Sequence, residues 1–576
     1  MQVKPVQVPH AVAARAATAP PLRLAEGLAA EPVMTLAAAA TAAPEQLAAL
    51  AAWNAAGKIP LRSGFARPLP ESHRVQLDAA ALEAADFAAT SGGYSARSVR
   101  GDLVWGTVIS VREAHRLRLH LTEIRLPEQA RLWVYGLGEE PVELGLELLR
   151  AEGDLWTPSV AGDWLFLEVE VPREAISEGA EYGFSFGEVM EVVELGPDGA
   201  PRRSGVVTGA SGECLVDATC VGAATLDVVE PYRLAVAHLQ FIEDDSLFLC
   251  SGALMNDTDE TGFIPYLLTA NHCFSSQSTV DTLESFWDYR SATCNGAEPD
   301  PLGKPRSVGG TLLATGEASD FTFLRLHAIP PDRVFLGWIP QVPPDGTILH
   351  RISHPAGVAQ KYSRSRVRSS GVQFCDDAPR PQNLYAEMIQ GATFGGSSGA
   401  PVIVAGGFVV GQLSGGCGGE DGCDYRNSEI DGAFVTTFPA IQGWLQPASS
   451  TTPCVPSSTT LCIDDQPGDR RFEAKLQFQN NQTSGAGQAI PLDSLGVTRG
   501  GLFWIGNAAN PEMLLKVINA CVPSLGNHYW VFYAATTNQG LVTTVRDTRT
   551  GRVWTRTNPL GSAAAPVQDT RAFPCN

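Results

Sequence analysis

"ATFGGSSGAPVI", residues 392–403, sets two serines between a glycine pair and Gly-Ala-Pro in a run with almost no bulk. Side chains this small pack no core. Glycines instead permit backbone geometries closed to other residues and let a second chain approach closely. A tight turn here can aim the N–H groups of Gly396 and Ser398 at one point, as a developing oxyanion requires. Ser398 is therefore a candidate nucleophile, and a nucleophilic serine needs a base and a group to orient that base.

Both have candidates upstream. In "PYLLTANHCFSS" (265–276) an apolar strand ends in Thr-Ala and then presents His272, followed at once by Cys273. Cys250, in "SLFLCSGALM" (246–255), could bridge to Cys273 and pin the loop that carries His272. A general base needs such fixity, because a misplacement of about 1 Å can lower a rate roughly 100-fold. In "ATGEASDFTFLRLH" (314–327), Asp320 stands where a polar turn enters an apolar strand, and a partly buried carboxylate there needs a partner. Taken singly, each has a plainer reading: a core histidine, a strand-entry cap, a Gly/Ser loop. Taken together, in the order His272, Asp320, Ser398, they form a base, its orienter and a nucleophile.

Composition bounds the rest. A chain of 576 residues is too long for one core, and about three domains is the expectation. The formal net charge of −21 disfavours nucleic acid and anionic membranes as partners and suits cationic substrates. Of the 12 cysteines, eight lie from Cys214 to Cys423 and four from Cys454 to Cys575, with no zinc-type spacing. Two separate even sets read as disulfides in an oxidised compartment, hence an exported, extracellular protein, although no secretory signal is evident at the N-terminus.

The chain divides by pattern. Residues 1–95 are Ala- and Pro-rich, with a helix expected over 44–58. Residues 96–198 alternate charged and apolar side chains, as in "HRLRLHLTEIRL" (115–126) and "GDWLFLEVEVP" (162–172), and predict a β-sandwich. A Gly/Pro/Ser linker over 199–213 carries the dibasic pair Arg202-Arg203 and is open to cutting. Residues 214–446 hold the chemistry, 447–460 form a second linker, and 461–576 again read as all-β. In that last segment Trp504, Trp530 and Tyr533 could bind a surface or a glycan, with core packing the preferred reading.

"LTANHC", "SDFTFLRL" and "GSSGAP" resemble the three catalytic blocks of the trypsin-like serine endopeptidases, and residues 209–445 are most similar to the bacterial lysyl endopeptidases. The resemblance implies an all-β fold with a chymotrypsin-like double β-barrel. His272 would be the acid/base, Asp320 its orienter and Ser398 the nucleophile, with Gly396 and Ser398 forming the oxyanion hole. It also implies disulfides Cys250–Cys273 and Cys220–Cys294, with Cys214 reaching Cys417 or Cys423. Ser414 would touch Asp320, and Gly415 and Gly416 would pair with substrate backbone. Counting from "GQL" places Glu429 at the pocket floor, with Asp431 as fallback, so cleavage is expected after Lys or Arg. No cofactor or metal, protein or peptide substrates, no nucleic-acid or membrane partner, and a monomer are expected.

Two departures matter. Animal trypsins have an Asp before the nucleophile that pairs with the freed N-terminus; here Ser397 stands there, so control by an inhibitory or chaperoning pro-segment, residues 1 to about 208, is expected instead. Ala392, six before Ser398, removes the trypsin-type acidic floor. The competing readings are an inactive homologue acting as a secreted binding protein, and an active protease of non-basic specificity.

Overall fold

The computed structural model describes residues 3–7, 20–24, 35–37, 44–85, 88–144, 153–196, 201, 214–258, 263–368, 382–418, 422–446, 453–522 and 525–575, apart from scattered single or paired positions within those ranges. The dibasic pair Arg202-Arg203 and Cys375 lie outside them. The fold is all-β. It forms two compact units, residues 1–256 with 264–441, and residues 257–263 with 442–576.

The first unit begins with a sandwich. One sheet runs in the order Ala88–Thr90, Gly93–Arg97, Leu103–Ser110, Trp164–Val171, Arg131–Gly136, Val142–Leu144. The facing sheet contains Leu155–Trp156, Arg116–Arg125, Gly183–Val192 and Leu61–Gln76. Period-two alternation sends Leu117, Leu119 and Leu121 into the core between the sheets, where all three are fully buried. Their neighbours Arg116 and Arg118 face the other way, yet they are buried too, because a second body covers that face. Sandwich strands also start well before residue 96: Leu61–Gln76 carries Pro68 and Pro70 and lacks clean alternation, so its sequence hides a strand.

The covering body is a half-barrel, ordered Arg306–Val308, Glu284–Phe286, Val236–Glu243, Ser246–Met255, Tyr266–Thr269, Phe321–Leu326, Gly310–Gly316. Residues Leu61–Phe65 pair antiparallel with Ser246–Leu249, so one strand belongs to both bodies. Beneath that joint, Leu61, Phe65, Met190 and Val192 pack with Ile242, Leu247 and Leu249 in one apolar cluster. A buried ion pair lies beside it: Arg118 stands 3.7 Å from Glu284, both fully buried, and donates to the Thr282 carbonyl at 2.8 Å. At the other end of the chain segment, Val6 and Gln7 pair with Phe335 and Val334.

The second barrel closes on itself. Its ring runs Lys361–Val367, Ile348–Ser353, Pro401–Val404, Phe408–Cys417, Ser428–Ala433, Asn383–Gln390 and back to Lys361–Val367. Leu349, Val402, Ala386 and Val410 fill its interior.

Disulfides join Cys250 to Cys273, Cys220 to Cys294 and Cys214 to Cys423. Of the two partners expected for Cys214, the structure takes Cys423, and Cys417 is bridged elsewhere. The second unit stacks two five-stranded sheets around Phe472, Leu515, Val531 and Tyr533, with disulfides Cys454–Cys462 and Cys521–Cys575. Tyr533 is a core residue there, whereas Trp504 and Trp530 are half-buried. Among the described residues, no helix is long and apolar enough to cross a membrane.

Candidate active site

His272 follows the strand Tyr266–Thr269, and Asp320 precedes its partner Phe321–Leu326; the antiparallel register of these strands brings the two together. His272 Nδ1 lies 2.7 Å from Asp320 Oδ2, and the His272 backbone N–H donates to Oδ1 at 2.9 Å. A carboxylate that accepts at Nδ1 fixes the proton there and leaves Nε2 free to take another. Asp320 adopts φ +50°, a left-handed conformation that Asp tolerates better than most residues. The turn is braced from both sides: Gln412 Nε2 donates to the Asp320 carbonyl, and Ser319 bonds the Thr437 hydroxyl. Ser414 Oγ donates to Asp320 Oδ2 at 2.6 Å, the contact expected of it.

Ser398 is brought to this edge by an unforeseen residue. Ser251, next to Cys250 and fully buried, donates its backbone N–H to the Ser398 carbonyl at 2.8 Å and its hydroxyl to the Gly396 carbonyl at 2.9 Å. The Ser251 hydroxyl accepts in turn from the His354 N–H at 3.0 Å. Gly399 sits so close that a Cβ would lie 2.1 Å from Thr269 Oγ1 and 2.4 Å from the Ser251 carbonyl. No other residue fits. His272 Nε2 has no hydrogen-bond partner among the described residues, so the Ser398–His272 bond is not made in this state. Such bonds often tighten only when substrate is bound.

The direction of the Gly396 N–H, a candidate oxyanion donor, is set by the peptide before it. The Gly395 carbonyl accepts from the Ala356 N–H at 2.6 Å. In a trans peptide C=O and N–H point in opposite directions, so the Gly396 N–H is turned away from that turn. Gly396 needs its φ of +93° for this, and a Cβ there would meet the His354 carbonyl at 2.7 Å. "SHPAG" (353–357) thus braces the Gly395–Gly396 turn from behind, a contact that its sequence did not announce. His354 itself is fully buried, with Nδ1 on the Val358 carbonyl, and burial lowers its pKa to about 4. Ser397 is fully buried and accepts from the Ser353 hydroxyl at 3.0 Å; it supplies no charge for an N-terminal ammonium to meet.

The candidate pocket lies along Gly415, Gly416 and the next strand, where Gly416 pairs with Glu429. A Cβ at Gly415 would meet nothing within 4 Å, which leaves this wall open. Glu429 is buried at the strand's start, where Thr393 Oγ1 donates to its Oε1 at 3.3 Å and Arg351 pairs with its Oε2. Asp431, two residues on, is fully buried and also bound to Arg351, well inside the barrel. Ala392 is buried and offers no charge. His272, Cys250 and Cys273 bring possible metal-ligating atoms within 4.8 Å, but both sulfurs are spent in the disulfide, leaving one ligand.

Comparison with known proteins gives a consistent family. The model of the lysyl endopeptidase C-terminal domain matches residues 208–432, and that of the lysyl endopeptidase N-terminal domain matches residues 35–181. A lysyl endopeptidase from Pseudomonas aeruginosa is 29% identical over 332 residues, 56% of this chain and 69% of that protein. Among solved structures, the Rv3671c protease from M. tuberculosis in its active form aligns at TM-score 0.27 and 14% identity over 38% of this chain and 86% of its own. An overlay that loose carries no argument.

Proposed function

The chain is a lysyl endopeptidase-like protease, and from that premise we propose that it hydrolyses peptide bonds after Lys or Arg through a His272–Asp320–Ser398 triad. Ser398 Oγ gives its proton to His272 Nε2 and attacks the scissile carbonyl. The oxyanion that forms is met by the N–H groups of Gly396 and Ser398. Collapse transfers the proton to the leaving amine and leaves an acyl-enzyme, which water, deprotonated by the same nitrogen, releases as acid. Asp320 holds the imidazole in the required tautomer and stabilises the imidazolium. Glu429 supplies the negative charge that meets the substrate cation, between the walls of Gly415 and Gly416.

The observation that carries this reading is the doubly bonded His272–Asp320 pair beside a serine loop shaped by Gly396 and Gly399. The precursor reading draws support from Leu61: its side chain lies 3.1 Å from where a Gly395 Cβ would stand, beside the oxyanion turn. On this reading residues 1–198 are a pro-region, 199–213 the maturation linker and 214–446 the protease, and the disulfides fit secretion into an oxidising space.

The test is to express residues 1–576 behind an export signal and assay peptides with Lys, Arg, Phe or Glu at the cleaved position, alongside Ser398→Ala. Cleavage after Lys or Arg that falls by on the order of 10⁶ in the variant is expected. Cleavage after Phe or Glu would sink the pocket while keeping the triad. Activity that survives Ser398→Ala would sink both.

A further inference from the structure

A cavity of about 250 Å³ lies where the N-terminal sandwich meets the half-barrel. Arg116 and Leu195 wall it from the sandwich, His238, Gln240 and Tyr289 from the half-barrel, and Gly357 from the turn behind Gly395. Arg116 is 7% exposed, and His238 and Gln240 are 1% exposed. Among the described residues, Arg116 Nε and Nη1 have no hydrogen-bond partner and no carboxylate pairs with the guanidinium. Gln240 Nε2 lies 2.9 Å from His238 Nε2; an amide N–H donates, so Nε2 accepts and the ring proton sits on Nδ1. That Nδ1 and the Gln240 Oε1 also lack partners. Burial above all, then His354 and Arg116 nearby, holds the His238 pKa well below its ordinary value and keeps the ring neutral.

We propose that this cavity binds a small α-amino acid, its carboxylate on Arg116 and the His238 Nδ1–H, its ammonium on Gln240 Oε1. The inference does not depend on the triad or on Glu429. Buried cations are normally paired, and a carboxylate is the partner that suits a guanidinium best. A bare anion fits poorly, because three carboxylates also line the cavity. Glu298 stands 3.4 Å from Lys361, Asp300 accepts from the Leu302 N–H at 2.9 Å, and Glu194 is exposed. Together they repel a ligand that brings only negative charge, whereas a zwitterion enters neutral and presents its ammonium to them. The ammonium also gives the orphan Gln240 oxygen a donor.

Size and lining narrow the class. The volume falls just below the roughly 300 Å³ at which most small-molecule sites begin, so the ligand is small. Leu195, Leu249 and Val358 offer apolar surface to a side chain such as that of leucine. Gripped from both sides, the ligand would tie the sandwich to the half-barrel.

The test is calorimetric titration of the full chain carrying Ser398→Ala, which guards against self-cutting, with leucine, acetate and leucine methyl ester. Leucine is used rather than lysine so that a pocket for basic side chains plays no part. Leucine should bind at one site with a Kd on the order of 0.1 mM, and acetate and the ester at least about tenfold more weakly. It should also raise the urea midpoint of unfolding. Adding Arg116→Gln, which removes an unpaired buried charge, should weaken leucine at least about tenfold. Gln240→Leu should weaken leucine while leaving acetate unchanged, and it decides the matter if Arg116→Gln does not fold. No heat and no midpoint shift with leucine would mean that water alone fills the cavity, which overturns the proposal. Acetate binding as tightly as leucine overturns the amino-acid assignment. Leucine binding that ignores whichever of the two variants folds places the ligand elsewhere and overturns the site.

Discussion

The two barrels of the first unit solve the problem of an exposed strand edge in opposite ways. The second barrel closes through the pairing of Lys361–Val367 with Asn383–Gln390 and needs nothing from outside. The half-barrel cannot close, and its strand Ser246–Met255 has one edge shared by three partners. Tyr266–Thr269 takes the end near Met255, the Ser398 carbonyl takes the Ser251 N–H, and Leu61–Phe65 takes Ser246–Leu249. The Ser398 loop and the N-terminal strand thus sit side by side on one open edge. An edge left unpaired is a place where another chain can bind, and in this molecule it is also where Ser398, the proposed nucleophile, is held.

That contrast can be broken at its tightest point first. Gly399→Ala puts a methyl into the Thr269 hydroxyl and the Ser251 carbonyl at a φ of +79°, and should destabilise the first unit by about 5 kcal/mol. Denaturant unfolding measures it; an unchanged midpoint would mean that the serine loop does not lock onto the half-barrel. Glu284→Gln comes next, since it leaves Arg118 fully buried without its charge partner, and a loss of about 4 kcal/mol is expected. Hydrogen exchange should show that loss in Ser246–Met255 and Glu284–Phe286, with the closed barrel still protected. Equal loosening of both barrels would erase the distinction.

The smallest effect is one of acidity. The His354 pKa is held by burial at about 4, below its ordinary value, so the folded state resists its protonation. Its contribution is complete above about pH 6.5 and is lost as pH falls through about 4, amounting to roughly 3 kcal/mol. His238, in the half-barrel and likewise lowered by burial, acts in the same direction. Unfolding free energy measured from pH 7 to 4 should fall accordingly, and the fall should shrink in His354→Asn. A flat profile would show that the turn behind Gly395 and Gly396 opens to solvent without cost.

What could be read from the sequence was local. "LTANHC" and "SDFTFLRL" each join an apolar strand to a polar turn, so the residue at the junction is visible without any knowledge of its partner. Leu117, Leu119 and Leu121 betray their sheet by alternation alone. Arg351, Ser251 and Arg118 were invisible for the opposite reason: each matters through a residue 18 or more positions away. Arg118 in particular reads as a solvent-facing charge, because alternation tells which face a side chain takes and nothing of what covers it. The strand Leu61–Gln76 was hidden by its two prolines, which an edge or a joint between two sheets can accept and a central strand usually cannot.

The N-terminal region grips the two barrels at three separate places: Val6 and Gln7 on Phe335 and Val334, Leu61–Phe65 on Ser246–Leu249, and Arg118 on Glu284. A cut between residues 199 and 213 would sever the covalent link and leave all three. The two pieces would then be a multivalent complex, in which any one contact that lets go is held near its partner by the other two and rebinds at high effective concentration. Cutting and release are separate events in such an assembly. Dilution alone would free the barrels slowly, and a second cut between Gln7 and Leu61, which turns a three-point grip into two, would free them faster.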